Sequence, residues 1–317
     1  MDFEQPMQRE DIPDWEDFRE WPSEQVQTII GPDKTVIFAP GGTSRWYFLH
    51  HGEVSQGYTQ PERFQDYAVR SMLRVIEIAN MMFDDGIKTM FAAVYVPAMT
   101  HRDEEYLKNL SWVYDVMVEE STQELYKSQQ MSVLFRGNWQ RTLELVGSKD
   151  LSRQFDKVEK ATARNPCRLI WLTEEAEPIP PVLTNLVADH LAQTGELPAR
   201  ASMAAAYYGF PLSHADIFIG HNKPTLGTLI PPLLTLGDLY YTVTPSLSMS
   251  RPQWRKILYD HLFSRRGWFR DYRTVDEEAI HTLHEFYQQQ DEVVLGVGKY
   301  YEKTQTWHPD LDKGRNE

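Results

Sequence analysis

Six short apolar runs, rich in β-branched and aromatic residues, recur along the chain at residues 35–40, 89–96, 132–135, 167–172, 217–220 and 239–243. Long segments with helical spacing separate most of them. Strands that read as continuous apolar runs are covered on both faces, which is the condition of a parallel sheet between layers of helices. The pattern therefore predicts an α/β fold with a mostly parallel sheet. The intervening helices are expected at 62–83, 103–130, over most of 138–165, and as one or two helices in 181–206 broken near 195–198. Two more are expected at 251–264 behind Ser250 and at 275–290 behind Thr274, with a short terminal strand at 293–297. On the first of these helices Phe64, Tyr67, Ala68, Met72, Val75, Ile76 and Ala79 share one side, and Gly86 stands where a helix-ending glycine belongs.

The chain has 317 residues, 41% hydrophobic and 25% charged, in the ordinary range for a globular protein with a large core. No apolar run approaches the ~18 residues of a membrane span, so no stable membrane insertion is expected. One cysteine, Cys167, rules out an internal disulfide and suits a reducing compartment. With an acidic opening and no leader-like segment, the expected location is the cytoplasm. A net charge of −14 argues against nucleic acid as a partner but leaves room for a small phosphorylated ligand in a local basic pocket. Without repeats or an obvious linker, the reading is an N-terminal arm over 1–33, one α/β domain over 34–300 and a tail over 301–317.

In a parallel sheet of this kind, ligands sit at the carboxyl ends of the strands. That mouth would gather 41–45, 98–102, 137–138, 173–177 and 221–225. The first strand runs into Gly41-Gly42-Thr43-Ser44-Arg45. Glycine amides converging on an anion, completed by a guanidinium, make a phosphate cradle; a tight turn with a surface arginine is the equal alternative. The loop is neither a Walker A motif nor a Rossmann fingerprint, since the required lysine or third glycine is missing. Asp84-Asp85 reads as a solvated helix terminus, and so does the His281, His284, Glu285 face. Glu174, Glu175 and Glu177 fall at the mouth, as loop charges or as carboxylates for magnesium. Cys167 opens a buried strand, where a reactive thiolate is not expected.

The order of these parts resembles the cis-prenyltransferase superfamily, known from undecaprenyl diphosphate synthases. The resemblance rests on "APGGTSRW", "FDDGIKTMFAAVYVP", "SVLFRGN", "ADIFIGHNKPT" and "GDLYYTVTP", in that order between about residues 35 and 268. The stretches "YYG", "ADIFIG", "LYYTVTPSLSM", "RKILYDHLF" and "VLGVG" are closer to an offshoot, the tuberculosinol synthase and tuberculosinyl adenosine transferase type. The resemblance implies a central sheet of about six strands, an apolar tunnel, a homodimer, and a prenyl diphosphate as substrate. It sets Tyr67 on a pocket tyrosine. It also places the substrate's head on Gly41, Gly42, Thr43, Ser44, Arg45 and Trp46, with His221, Asn222 and Lys223 nearby.

Departures from the family pattern carry as much information. The family's diphosphate- and metal-handling aspartate falls on Gly41. The first arginine of its Arg-Arg-Trp element falls on Ser44, leaving only Arg45, and its Arg-x-Gly-Gly-Glu cluster falls on 220–224 without the arginine or the glutamate. Magnesium in the usual family site is therefore not expected; if a metal takes part, Glu174, Glu175 and Glu177 would hold it. The function so implied is an atypical terpene synthase that ionises an allylic C15–C20 prenyl diphosphate. Arg45 would act on the leaving group, Tyr67 on the cation, and Glu174 and Glu175 in support. The cation would be quenched by deprotonation, cyclisation or a nucleophile. Chain elongation or prenyl coupling is the first alternative, and an inactive partner or isoprenoid-binding protein the second.

Overall fold

Thr35–Phe38 is β1, buried over its whole length. A strand whose every residue is buried, Thr35 included, belongs inside a sheet. The computed structural model describes residues 12–51, 61–95, 104–173, 181–225, 233–265, 276–290 and 293–310. In it β1 pairs in parallel with β2 (Thr89–Tyr95) on one side and β5 (His214–His221) on the other. β3 (Met131–Arg136), β4 (Cys167–Thr173) and β6 (Thr235–Thr242) complete a six-stranded sheet in the order β3-β4-β2-β1-β5-β6. Every described pairing in it is parallel, as the apolar runs predict. The chain crosses from one half of the sheet to the other at β1, so the residues after β1 and after β5 leave the same edge side by side.

Helices cover both faces. Register sets Phe218, Ile37, Phe91 and Ile170 in one row. That row belongs to an apolar cluster with Leu183 of α9 (Pro181–Thr194) and with Met203, Ala204, Tyr207 and Tyr208 of α10 (Arg200–Tyr208). Ahead of them in the chain come α1 (Trp15–Glu20), α2 (Ser23–Ile30), α3 (Thr43–His50) and α4 (Pro61–Asp84). α4 buries the predicted stripe from Phe64 through Ala79. The helix expected over 103–130 is broken: α5 (Glu104–Val118) ends before Glu119, whose extended backbone (φ −58, ψ 147) starts α6 (Glu120–Ser128) on a new course. The break lets Tyr126 bury its ring and accept a hydrogen bond from Trp171 Nε1 at 3.2 Å. α7 (Trp139–Leu145) and α8 (Leu151–Thr162) follow, separated by Gly147 at positive φ.

Asp85 corrects the expectation of a solvated helix end. Its side chain is 0% exposed and accepts from Ser23 Oγ at 2.7 Å, Arg251 Nη1 at 3.0 Å and Trp254 Nε1 at 3.0 Å. It is a structural clamp, because a buried carboxylate is tolerated only when several donors satisfy it.

The sheet and these helices form one compact unit, Trp21–Trp254. A second unit combines the start of the chain, through Glu20, with the segment from Arg255 onward. Within it Phe18 packs against Tyr259 and Phe263 at ring-centroid distances of 5.5 and 5.6 Å, and Tyr259 donates to the carbonyl of Pro13. α11 (Arg251–Tyr259) widens into a π turn at Asp260–Ser264, and α12 (Glu277–Gln289) is capped by Asp276, which accepts from the amide of Ala279. Thr274, the expected cap, lies outside the described residues. The strand expected over 293–297 is an exposed turn, with Leu295 95% exposed. The strands are instead β7 (Gly298–Tyr301) and β8 (Thr306–Pro309), an antiparallel pair. Among the described residues no helix is long and apolar enough to cross a membrane.

Candidate active site

β1 ends at Phe38, and the chain turns at Gly41 and Gly42 into α3. Gly42 takes the left-handed conformation (φ 66, ψ 23) in front of the helix. Neither glycine has space for a side chain. A Cβ on Gly41 would lie 2.8 Å from His221 Cβ, and one on Gly42 would lie 2.8 Å from His221 Nε2 and 2.9 Å from Arg45 Nη2. So the glycines are there to let the ends of β1 and β5 close on one another.

One of the expected donors is already engaged. The amide of Gly41 donates to Ser246 Oγ at 3.0 Å, while the amide of Ser246 donates to the carbonyl of Gly41 at 3.1 Å. Arg74 on α4 holds that loop in place by donating to the carbonyls of Leu247 and Met249. What remains for an anion is the first turn of α3. The amide of Trp46 closes the first helical bond on Gly42, so the amides of Thr43, Ser44 and Arg45 have no acceptor within the helix. They point outward with the positive end of the helix dipole behind them.

Arg45 lies beside this turn, half-buried, and no carboxylate among the described residues pairs with it. Its Nη2 donates to His221 Nε2 at 2.7 Å. The other ring nitrogen, Nδ1, is 3.2 Å from the carbonyl of Thr242. A carbonyl only accepts, so Nδ1 carries the proton and Nε2 presents its lone pair to the guanidinium. Burial, then the neighbouring Arg45 charge, hold the His221 pKa below its ordinary value, which agrees with a neutral ring.

Tyr67 is 8% exposed on α4, and its hydroxyl is 2.6 Å from Thr43 Oγ1. Burial raises its pKa, and the hydrogen bond to Thr43 opposes the rise. Its ring meets Tyr47 and Phe64 edge-on at 5.6 and 5.5 Å; Phe64 in turn meets Tyr106 at 5.5 Å and Trp112 at 6.2 Å. The aromatic array thus runs from the helix start to α5.

Of the other sequence-predicted residues, Trp46 is buried with its ring against His50 and His51. Asn222 bends the chain at φ 57 and donates its amide to Thr242, and Lys223 is exposed. Glu174, Glu175 and Glu177 lie outside the described residues, as do 98–102 at the expected mouth. A magnesium ion does not fit where the resemblance sets the family's aspartate. Gly41 has no ligating side chain, and a carboxylate there would run into His221. Among the described residues no three His, Cys, Asp or Glu side chains cluster to hold a metal. Ser246 and the carbonyl of Thr242 are the contributors that sequence reasoning missed. A cavity of about 270 Å³ also lies between α9 and α10, lined by Leu186, His190, Met203 and Ala206 among others, and it takes no residue from the Gly41–Arg45 turn.

The sheet order and the helices around it match solved structures. Lavandulyl diphosphate synthase from Lavandula x intermedia, solved with dimethylallyl diphosphate, superposes with a TM-score of 0.58. It is 16% identical over 77% of this chain and 98% of its own. The fold is that of the cis-prenyltransferases. A probable undecaprenyl diphosphate synthase from Campylobacter jejuni gives a TM-score of 0.50 at 12% identity, over 76% of this chain and all of its own. Among curated proteins, the chain is 28% identical to tuberculosinyl adenosine transferase of Mycobacterium tuberculosis, over 89% of this chain and 94% of that protein. It is 24% identical to (+)-kolavelool synthase of Herpetosiphon aurantiacus, over 74% and 76% respectively. No family model matches the sequence.

Proposed function

We propose that the chain is an enzyme that processes prenyl diphosphates, ionising a single allylic C15–C20 substrate in the manner of a terpene synthase. One observation carries the reading. A guanidinium with no carboxylate partner among the described residues, three helix-start amides and a buried aromatic array stand together at the carboxyl edge of the sheet. The first two suit an anionic leaving group; the third suits the cation left behind.

In this reading the diphosphate rests against Arg45 and the amides of Thr43–Arg45. The allylic C–O bond breaks heterolytically, and its electron pair stays with the departing oxygen. The hydrogen bonds from Arg45 strengthen as that charge develops, which is how a fixed donor lowers a barrier. The rings of Tyr67 and Phe64 face the allylic cation. Loss of a proton, ring closure or capture of water or another nucleophile then ends the reaction. The two curated relatives, named as a transferase and a synthase, support this class of chemistry. An apolar tunnel for the tail, a homodimer and a cytoplasmic location belong to the same proposal, as does any magnesium held by Glu174, Glu175 and Glu177. No step above requires the metal.

Incubation of the purified protein with geranyl, farnesyl and geranylgeranyl diphosphates, with and without Mg²⁺ and isopentenyl diphosphate, tests the proposal. A hydrocarbon or alcohol formed from one substrate alone supports it. Longer diphosphates formed only with isopentenyl diphosphate replace it with chain elongation. No turnover of any substrate replaces it with a binding or partner role.

A further inference from the structure

The contact between Arg45 and His221 is more than a packing detail, because it presents a lone pair to the guanidinium of the cradle. We propose that His221 takes up a proton when a diphosphate binds, and so becomes the second cation of the cradle. The inference rests on the proposed function in one respect: that the turn holds a diphosphate.

The argument is geometric. His221 closes β5, and its ring lies on Gly41 and Gly42, with Nε2 facing both the turn and Arg45 Nη2. Nδ1 is committed to the carbonyl of Thr242. A diphosphate that engages Arg45 and the start of α3 brings phosphate oxygens to the place Nε2 faces. An unprotonated Nε2 would then meet those oxygens lone pair to lone pair. One proton from solvent resolves the conflict: Nδ1–H still donates to Thr242, and Nε2–H donates to a phosphate oxygen. The guanidinium, released from the ring, gives both of its edge donors to the ligand. The imidazolium supplies a second positive charge beside Arg45, where Ser44 on the same turn offers none.

The surroundings favour such a switch. Facing the ring are Arg45 from α3, the backbone carbonyls of Thr242 at the end of β6 and of Thr244 just beyond it, and the Gly41–Gly42 turn, which has no ionisable side chain. The nearest titratable group on β6 is Tyr241, packed on Gly220 and kept neutral by burial. Lys223 follows two residues on, exposed. Among the described residues no carboxylate reaches the ring. Without ligand, burial and Arg45 keep it neutral; with an anion in place both effects are outweighed.

Calorimetric titration with inorganic pyrophosphate, in two buffers of different ionisation enthalpy at about pH 7.5, reads the protons taken up on binding. The ligand's own titration is common to wild type and His221→Asn, so the difference between them belongs to the histidine. The expected result is that wild type takes up close to one proton more than the variant, and loses affinity about tenfold more per pH unit across that range. Nitrogen NMR of the ring gives a second reading free of mutation: a neutral Nδ1–H imidazole without ligand, an imidazolium with pyrophosphate. Equal proton uptake in both proteins, or a ring still neutral in the complex, overturns the inference and leaves the proposed function standing. Failure of wild type to bind pyrophosphate overturns the cradle itself, and this inference with it.

Discussion

Replacing Arg45 by alanine should disable the enzyme and leave the protein folded. The size of both effects follows from its contacts. A hydrogen bond to a charged group contributes about 1.5–3 kcal/mol, and a guanidinium offers a phosphate two of them. Removing one fixed donor from a developing oxyanion costs roughly 2.7–4 kcal/mol in transition-state stabilisation. A loss of about 3–4 kcal/mol corresponds to a fall in kcat/KM of two to three orders of magnitude. The fold loses little. Arg45 is half-buried, and among the described residues it engages His221 Nε2 and no carboxylate, so water can replace it. Stability should stay within about 0.5 kcal/mol of wild type. Arg45→Lys restores the charge without the planar fork and should recover about one order of magnitude. The assay is product formation from farnesyl and geranylgeranyl diphosphates, with urea unfolding followed by tryptophan fluorescence alongside. Since the interaction grows as the bond breaks, the loss should fall on kcat more than on KM. Turnover within threefold of wild type, in a folded Arg45→Ala protein, would refute the leaving-group role.

Four further outcomes follow from the geometry. Tyr67→Phe removes the bond to Thr43 and keeps the ring, so turnover should fall by no more than about tenfold; Tyr67→Leu also loses the aromatic face, with a further penalty of up to about 2 kcal/mol. Gly41→Ala pushes a methyl group into His221 and should weaken pyrophosphate binding, measured by calorimetry, with a smaller effect on unfolding. Asp85→Ala strands the buried Trp254 indole N–H and should destabilise the protein by about 2–4 kcal/mol in urea titrations, the half-exposed Arg251 adding little. If Glu174, Glu175 and Glu177 hold magnesium, replacing all three by glutamine should abolish any Mg²⁺ stimulation of turnover; unchanged stimulation removes them as ligands.

The sheet was legible because its signal is local. The middles of the inner strands had to be apolar, and residues 36–38, 90–94 and 169–172 announce that without their partners. The stripe of α4 was legible for the same reason. The broken helix at Glu119 was not, since its cause is Tyr126 reaching Trp171, a contact between segments far apart in the chain. Asp85 was misread on the same ground. Its donors come from 62, 166 and 169 residues away, while its neighbours in sequence look like any helix terminus. At the site, paired glycines behind a strand and an arginine marked the turn. Sheet topology and the resemblance brought His221 to the mouth, but its bond to Arg45 spans 176 residues and has no local signal. Nothing in the local sequence singles out Ser246.

The reciprocal pair of hydrogen bonds between Gly41 and Ser246 links positions 205 residues apart. The chain therefore cannot finish its anion site when β1 and α3 emerge; it must wait until β6 has docked and the segment behind it has folded back. A nascent or truncated product that ends before this segment would keep most of the sheet and yet have an untethered headgroup turn. Capture of pyrophosphate is thus a late marker of maturation, one that appears only when the two edges of the sequence have found each other.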